Sequence, residues 1–272
     1  MNRERRLVLA TSGAFGCSET EQIEKIAKVG WDGVFTLWSA DGDLKATAKH
    51  VKDCGLFFQS VHAEYRKSDR LWEEGAAGEE EKNVQIRTII DCAEAGVNLL
   101  IMHAIIGMEK NSPTQLGVDR FGEILEKANE YGVRIALENT EGEIYVETLF
   151  KAFSGEKNLG FCIDTGHEMC YNHSADLITK YGERLFSTHL NDNMGQSGEN
   201  ITWLDDWHLL PFDGVADWGG IARRLNTVGY QDALTFELGK REIQYGAMSV
   251  DEYLSVAYAR AKKFRKIVEE ER

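Results

Sequence analysis

The stretch VRIALENT (residues 133–140), followed by LGFCIDTGH (residues 159–167), decides the fold. Each opens on a short apolar run and reaches an acid, Glu138 in the first and Asp164 in the second. The runs are continuous rather than alternating, as expected of parallel strands buried on both faces. Working outward, the same kind of run recurs at Leu7–Ala10, Gly33–Leu37, Leu56–Val61, Leu99–Met102, Val133–Leu137, Leu159–Ile163, Leu185–Thr188 and Leu234–Phe236. Amphipathic stretches separate them at roughly the ~30-residue spacing of a βα unit. Ser18 and Glu21 have capping-box spacing ahead of Ile23 and Ile26. Ser112-Pro113 opens the stretch carrying Leu116, Phe121, Leu125 and Ala128. Glycines 30, 55, 96, 132 and 229 each follow a helical run, where a left-handed stop is least strained. The two prolines, Pro113 and Pro211, lie outside the strands. Eight such units without a linker predict a single α/β domain over residues 1–272, closed as a (βα)8 TIM barrel. An open doubly wound sheet is the main rival.

The length suits one barrel, and a chain of this size buries most of its unfolded surface without staples. The formal charge is −14, from 31 Lys and Arg against 45 Asp and Glu. Duplex nucleic acid is gripped by a cationic surplus that this chain lacks. Five cysteines (17, 54, 92, 162 and 170) form an odd set without a C-x-x-C pair, which fits a reducing compartment. The start, MNRERRLVLATSG, is too short in apolar residues for a signal peptide, and no apolar run approaches the ~18 residues of a membrane span. A cytoplasmic protein is expected.

The polar residues just past each apolar run carry the chemistry. QSVHAEY places His62 at a strand tip, LLIMHA places His103, and ALENT gives Glu138 and Asn139. IDTGH gives Asp164 and His167, STHLNDN gives His189 and Asp192, and TFELGK gives Glu237. The loop LDDWHLLPFDG adds Asp206 and His208, so only His50 and His173 of the seven histidines fall elsewhere. In a barrel the C-terminal strand ends share one mouth. A lone histidine there is more often a hydrogen-bonded, half-buried residue than a ligand. Three acids entering one mouth raise one another's pKa, and a bound cation is the usual relief. Three carboxylates and an imidazole suit Mn²⁺, Mg²⁺, Co²⁺ or Zn²⁺, and the further histidines shift the balance toward Zn²⁺ or a multinuclear site.

Weaker candidates surround this set. Trp38 and Trp72, past the second and third strands, could wall a substrate face, though loop packing explains them equally well. Lys240, three residues beyond Glu237, could meet an anion but more simply is solvated. Asn191–Asn193 offers either turn chemistry or polar substrate contacts.

These residues resemble the xylose isomerase-like barrel superfamily, over nearly the whole chain from LVLATSG to LTFELGK. The sharpest pieces are ALENT, IDTGH, HLNDN and DDWHLLPFDGVADW. The last is similar to the D-x-H-x-x-P-G-x-G-x-x-D-W stretch of sugar phosphate isomerases, with Phe212 where Gly is usual. The resemblance implies that Glu138, Asp164, His189 and Glu237 hold one divalent ion. Glu138 and Glu237 would also face each other across the substrate as catalytic acid/base groups. It further implies that His62, His103 and His167 contact the substrate, with His167 steadying its oxygens.

Two further readings share the pattern. Endonuclease IV is matched at every ligand position: His62, His103 and Glu138 around one ion, the four-residue set around a second, and His167, Asp206 and His208 around a third. Up to three Zn²⁺ would then serve phosphodiester cleavage. The charge and the acidic stretch after His62, AEYRKSDRLWEEGAAGEEE, weigh against it. A dehydratase of the same family would share the proton abstraction and then expel hydroxide. A barrel that binds without turnover is a third class, which nothing in the sequence favours. The expected partner is a small carbohydrate, with neither nucleic acid nor membrane. A homo-oligomer is compatible with the sequence.

Overall fold

A computed structural model of the protein describes residues 4–108 and 112–271. Its strands are β1 Leu7–Ala10, β2 Gly33–Leu37, β3 Phe57–His62, β4 Leu99–His103, β5 Arg134–Glu138, β6 Leu159–Asp164, β7 Leu185–His189 and β8 Leu234–Phe236. All neighbours pair in parallel, in the order β7-β6-β5-β4-β3-β2-β1-β8. The ring closes just beyond β7. Leu190 bridges Phe236, its N–H donating to Thr235 O at 2.8 Å, while Glu237 N donates back to Leu190 O at 3.3 Å. This is the closed barrel rather than the open sheet.

The helices are α1 Glu19–Val29, α2 Leu44–Asp53, α3 Ala76–Glu94, α4 Gln115–Tyr131, α5 Glu143–Ala152, α6 Thr165–Cys170, α7 Leu177–Tyr181, α8 Trp218–Thr227, α9 Glu242–Tyr245 and α10 Val250–Glu270. Helix α1 carries the full Ser18–Glu21 capping box and stops at Gly30, φ 105°. The opening of α4 differs from expectation, since Thr114 rather than Ser112 caps it, accepting from Gly117 N at 3.2 Å. The three residues before Ser112 lie outside the described ones. Among the described residues, no helix is long and apolar enough to cross a membrane.

Alternation along the strands separates two cores. Leu100, Leu137, Phe161 and Ile163 point outward to the helices, in one large buried cluster. Leu99, Ile101, Ala136 and Cys162 form a separate cluster with Phe186 packed against it. Gly160 makes room for that ring, because a Cβ there would sit 2.3 Å from Phe186. Two residues on from Ile101, Ala136 and Cys162 along the same strand faces stand His103, Glu138 and Asp164. The register keeps the tips level, pairing His103 with Glu138 and Asp164 with His189. Strand geometry thus sets one layer of polar groups on an apolar plug.

Candidate metal centre

Glu138 is the hub of that layer, 1% exposed. Its Oε2 lies 3.0 Å from His62 Nε2 and 3.3 Å from His103 Nε2. Its Oε1 lies 3.0 Å from His189 Nδ1 and 3.5 Å from His167 Nδ1. His189 Nδ1 also meets Glu237 Oε2, at 2.8 Å, so carboxylates from β5 and from just past β8 converge on one imidazole. Phe35 of β2 stacks on that ring at 4.6 Å, almost parallel to it, and fixes its plane.

The surrounding hydrogen bonds orient the donors as a metal's supporting shell would. His62 Nδ1 meets Ala63 O at 2.7 Å, His167 Nδ1 meets Asn139 O at 2.8 Å, and His208 Nδ1 meets Glu237 O at 3.1 Å. A carbonyl can only accept, so each Nδ1 is the protonated nitrogen and each Nε2 is the one turned to the site. Asp164 sits in an amide cradle. Asn191 Nδ2 donates to its Oδ2 at 2.8 Å, His167 N donates to its Oδ1 at 2.7 Å, and Asn139 pairs with its backbone on both sides. Asn139 and Asn191 are therefore scaffold, just past the tips of β5 and β7.

The connection between β7 and α8, residues 190–217, delivers the last two ligand candidates. Asp192 organises it. Its carboxylate accepts from Phe212 N at 2.9 Å, Ala216 N at 3.0 Å and Trp218 Nε1 at 2.9 Å, and its backbone exchanges both bonds with Leu209. The middle of NDN is thus turn chemistry. Phe212 does adopt the backbone a glycine would favour, φ 73°, held by the Asp192 bond and by contact with Trp218. Asp206 pairs with His208 Nε2 at 3.0 Å and His167 Nε2 at 3.4 Å.

Three groups bring one ligand atom each to within 4.8 Å of the others: His62, His103 and Glu138; Glu138, Asp164, His189 and Glu237; and Asp164, His167 and His208. The third differs from the expected trio, for Asp164 takes Asp206's place and Asp206 bonds the two histidines from beside it. The donor chemistry fits a divalent cation. Burial raises Asp164, with Glu138 and Glu237 adding to it against His167 and His208. Burial also pushes Glu138 up, yet His189, His103 and His62 hold it well below the usual carboxylate range. Against the same burial, His189 and His208 bring Glu237 down to about 2. Burial pulls His208 down, but Asp206, Glu237 and Asp164 push it up to about 10; against the same burial His167 is raised by Asp164, Asp206 and Glu138, and His189 by Cys162, then Glu138 and Glu237.

Held up at about 10, His208 carries a proton at neutral pH that a bound metal would displace. Metal binding at pH 7 should therefore release protons, seen as a buffer-dependent heat in titrations run in two buffers of different ionisation enthalpy. A buffer-independent heat would contradict the arrangement. Because folding raises the pKa of His208, its contribution to the metal-free fold is complete below about pH 6.5 and fades as the pH climbs through about 10.

Seven of the ligand candidates, His62, His103, Glu138, His167, Asp206, His208 and Glu237, line a cavity of about 420 Å³, within the about 300–1,000 Å³ of small-molecule sites, while Asp164 and His189 are fully buried and off its lining. Three expected substrate contacts are absent from its lining. Trp38 is buried with Nε1 on Asp91 Oδ2 at 2.8 Å. Trp72 is buried with Nε1 on Ala104 O and its ring against Phe121 and Tyr145. Both are packing residues, drawn inward by their apolar bulk. Lys240 does not line the cavity either. In their place stand Thr11, Ser12, Tyr65, Tyr171 and Trp203. Tyr65 packs on His103 at 4.7 Å and Tyr171 on His167 at 4.9 Å. The signals for four of them were positional: Thr11 and Ser12 directly follow β1, Tyr65 lies three residues past His62, and Tyr171 four past His167.

The chain is 28% identical to the uncharacterized protein y4fM of Sinorhizobium fredii over 235 residues, 73% of this chain and 71% of the relative. A shorter likeness, 29% over 103 residues, covers 31% of this chain and 36% of a probable endonuclease 4 of Thermoplasma volcanium. The structure of an L-ribulose 3-epimerase shares the fold, with TM-score 0.72 at 17% identity, over 98% of this chain and 96% of that one. The sequence model of the xylose isomerase-like TIM barrel matches residues 23–258. With its ring of eight parallel strands, the chain belongs to the xylose isomerase-like TIM barrel family.

Proposed function

We propose that the chain is a divalent-metal-dependent isomerase or epimerase acting on a sugar or sugar-like polyol. The convergence of Glu138 and Glu237 on His189 Nδ1, at 3.0 and 2.8 Å, carries this reading. Two carboxylates reach one point from separate strands, at the floor of a cavity of small-molecule size. A divalent cation held by Glu138, Asp164, His189 and Glu237 would supply Lewis acidity to a carbonyl and its neighbouring hydroxyl. One glutamate removes the acidified carbon-bound proton. In an isomerase the same carboxyl delivers that proton to the adjacent carbon; in an epimerase the other glutamate, protonated beforehand from solvent, gives its own proton to the opposite face. His167, fixed by Asn139 O, steadies the substrate oxygens. The same abstraction followed by loss of hydroxide would make a dehydratase. Sugar chemistry is supported by the net charge of −14 and by the fold shared with the epimerase.

A second reading, a phosphodiesterase holding up to three Zn²⁺, is favoured by the three ligand groups and the partial likeness to a probable endonuclease 4. Elemental analysis of the purified protein separates the two. One ion per chain, with interconversion of a ketose or cyclitol lost in Glu237→Gln, is expected. Three zinc ions and cleavage of abasic duplex DNA would overturn the proposal.

A further inference from the structure

The cavity has two chemically distinct ends. Its floor is the charged layer around Glu138 and Glu237, while Leu37 and Trp203 stand on its lining and yet are 41% and 54% exposed. They come from different edges of the mouth: Leu37 is the last residue of β2, and Trp203 lies in the long connection after β7. Scattered exposed apolar residues are ordinary on any surface. Here they are not scattered. Met194, Leu204 and Val215 are exposed in the connection after β7, Ile243 in α9 after β8, and Ile144 at the start of α5; only Phe57 and Tyr131, among the described residues, occupy the opposite end of the barrel. Ile106 and Tyr65 extend the apolar lining between floor and rim.

A polyol chelated at the floor satisfies the carboxylates and histidines with its hydroxyls, and leaves the exposed indole at the lip to whatever the molecule carries beyond them. An indole there is stabilised by covering its face with apolar or aromatic surface, preferably offset-stacked. We infer that the substrate is a polyol carrying an apolar substituent, aryl or alkyl, and that Trp203 and Leu37 select it by clamping that substituent at the mouth. This deepens the isomerase or epimerase reading and rests on its placing the polyol at the floor.

The test uses metal-loaded, full-length protein and matched probes, the methyl, n-octyl and 4-nitrophenyl glucosides and galactosides, titrated calorimetrically. The 4-nitrophenyl or octyl glycoside should bind at least tenfold more tightly than its methyl counterpart. Trp203→Ala should lose most of that preference, while Ile243→Ala, 90% exposed and off the cavity lining, retains it. The preference found in wild-type protein that turns over no sugar would leave the clamp standing and remove only the catalytic reading. Equal affinities for all substituents, no binding of the apolar glycosides at millimolar concentration, or a preference unchanged in Trp203→Ala would overturn the inference. So would a Trp203→Ala variant with unchanged preference but a smaller mass by sedimentation, which would make the rim a subunit contact.

Discussion

Glu138→Gln should lower turnover by about 10²–10⁴-fold while the barrel stays folded. Glutamine keeps the volume and one acceptor oxygen, so the packing on Ala136 and the neighbouring tips is undisturbed. What disappears is the charge on which four imidazoles converge, His62, His103, His189 and His167, between 3.0 and 3.5 Å. Glu138 belongs to two of the three ligand groups, so metal content should fall along with the rate. Turnover, bound metal and the thermal melt, measured on one preparation, check this. A variant that keeps its metal and most of its rate would show that Glu138 neither ligates nor transfers protons.

Asp192→Ala should be the most destabilising single change in the loops, by about 3 kcal/mol or more. The side chain is fully buried and accepts from two distant backbone N–H groups and the Trp218 indole. Removing a carboxylate leaves each buried donor unpaired, and an unpaired buried donor costs about 1–3 kcal/mol. The damage should reach the site, because the Asp192–Leu209 bridge seats the segment carrying Asp206 and His208. Denaturant unfolding gives the first quantity and metal titration the second. Wild-type stability in Asp192→Ala would contradict the role assigned to that bonding.

Most of the fold was legible because parallel strands announce themselves as apolar runs. β1, β2 and β8 lie where those runs do. β4 to β7 each extend one residue further, and the extra residue is every time the polar one: His103, Glu138, Asp164 and His189. A hydrophobicity pattern ends a strand at its last apolar side chain, whereas backbone pairing continues through the residue that does the chemistry. Trp38 and Trp72 were misplaced for the converse reason. Sequence position put them near the mouth, but burial of an indole with its N–H satisfied outweighed proximity. Trp203 could not be read at all, since an aromatic in a long connection has no periodicity to locate it. The exchange of Asp206 for Asp164 in the third group likewise depends on loop geometry, set by bonds from Asp192 that no local pattern encodes.

The central claim, proton transfer by paired glutamates on a metal-held polyol, is tested most directly in heavy water. Metal-loaded protein is incubated with a panel of ketoses, aldoses and cyclitols, and recovered material is read by mass spectrometry and proton NMR. Expected is deuterium at a carbon next to the carbonyl of at least one sugar, absent with Glu138→Gln. Deuterium incorporated at no position of any sugar or cyclitol would contradict the claim.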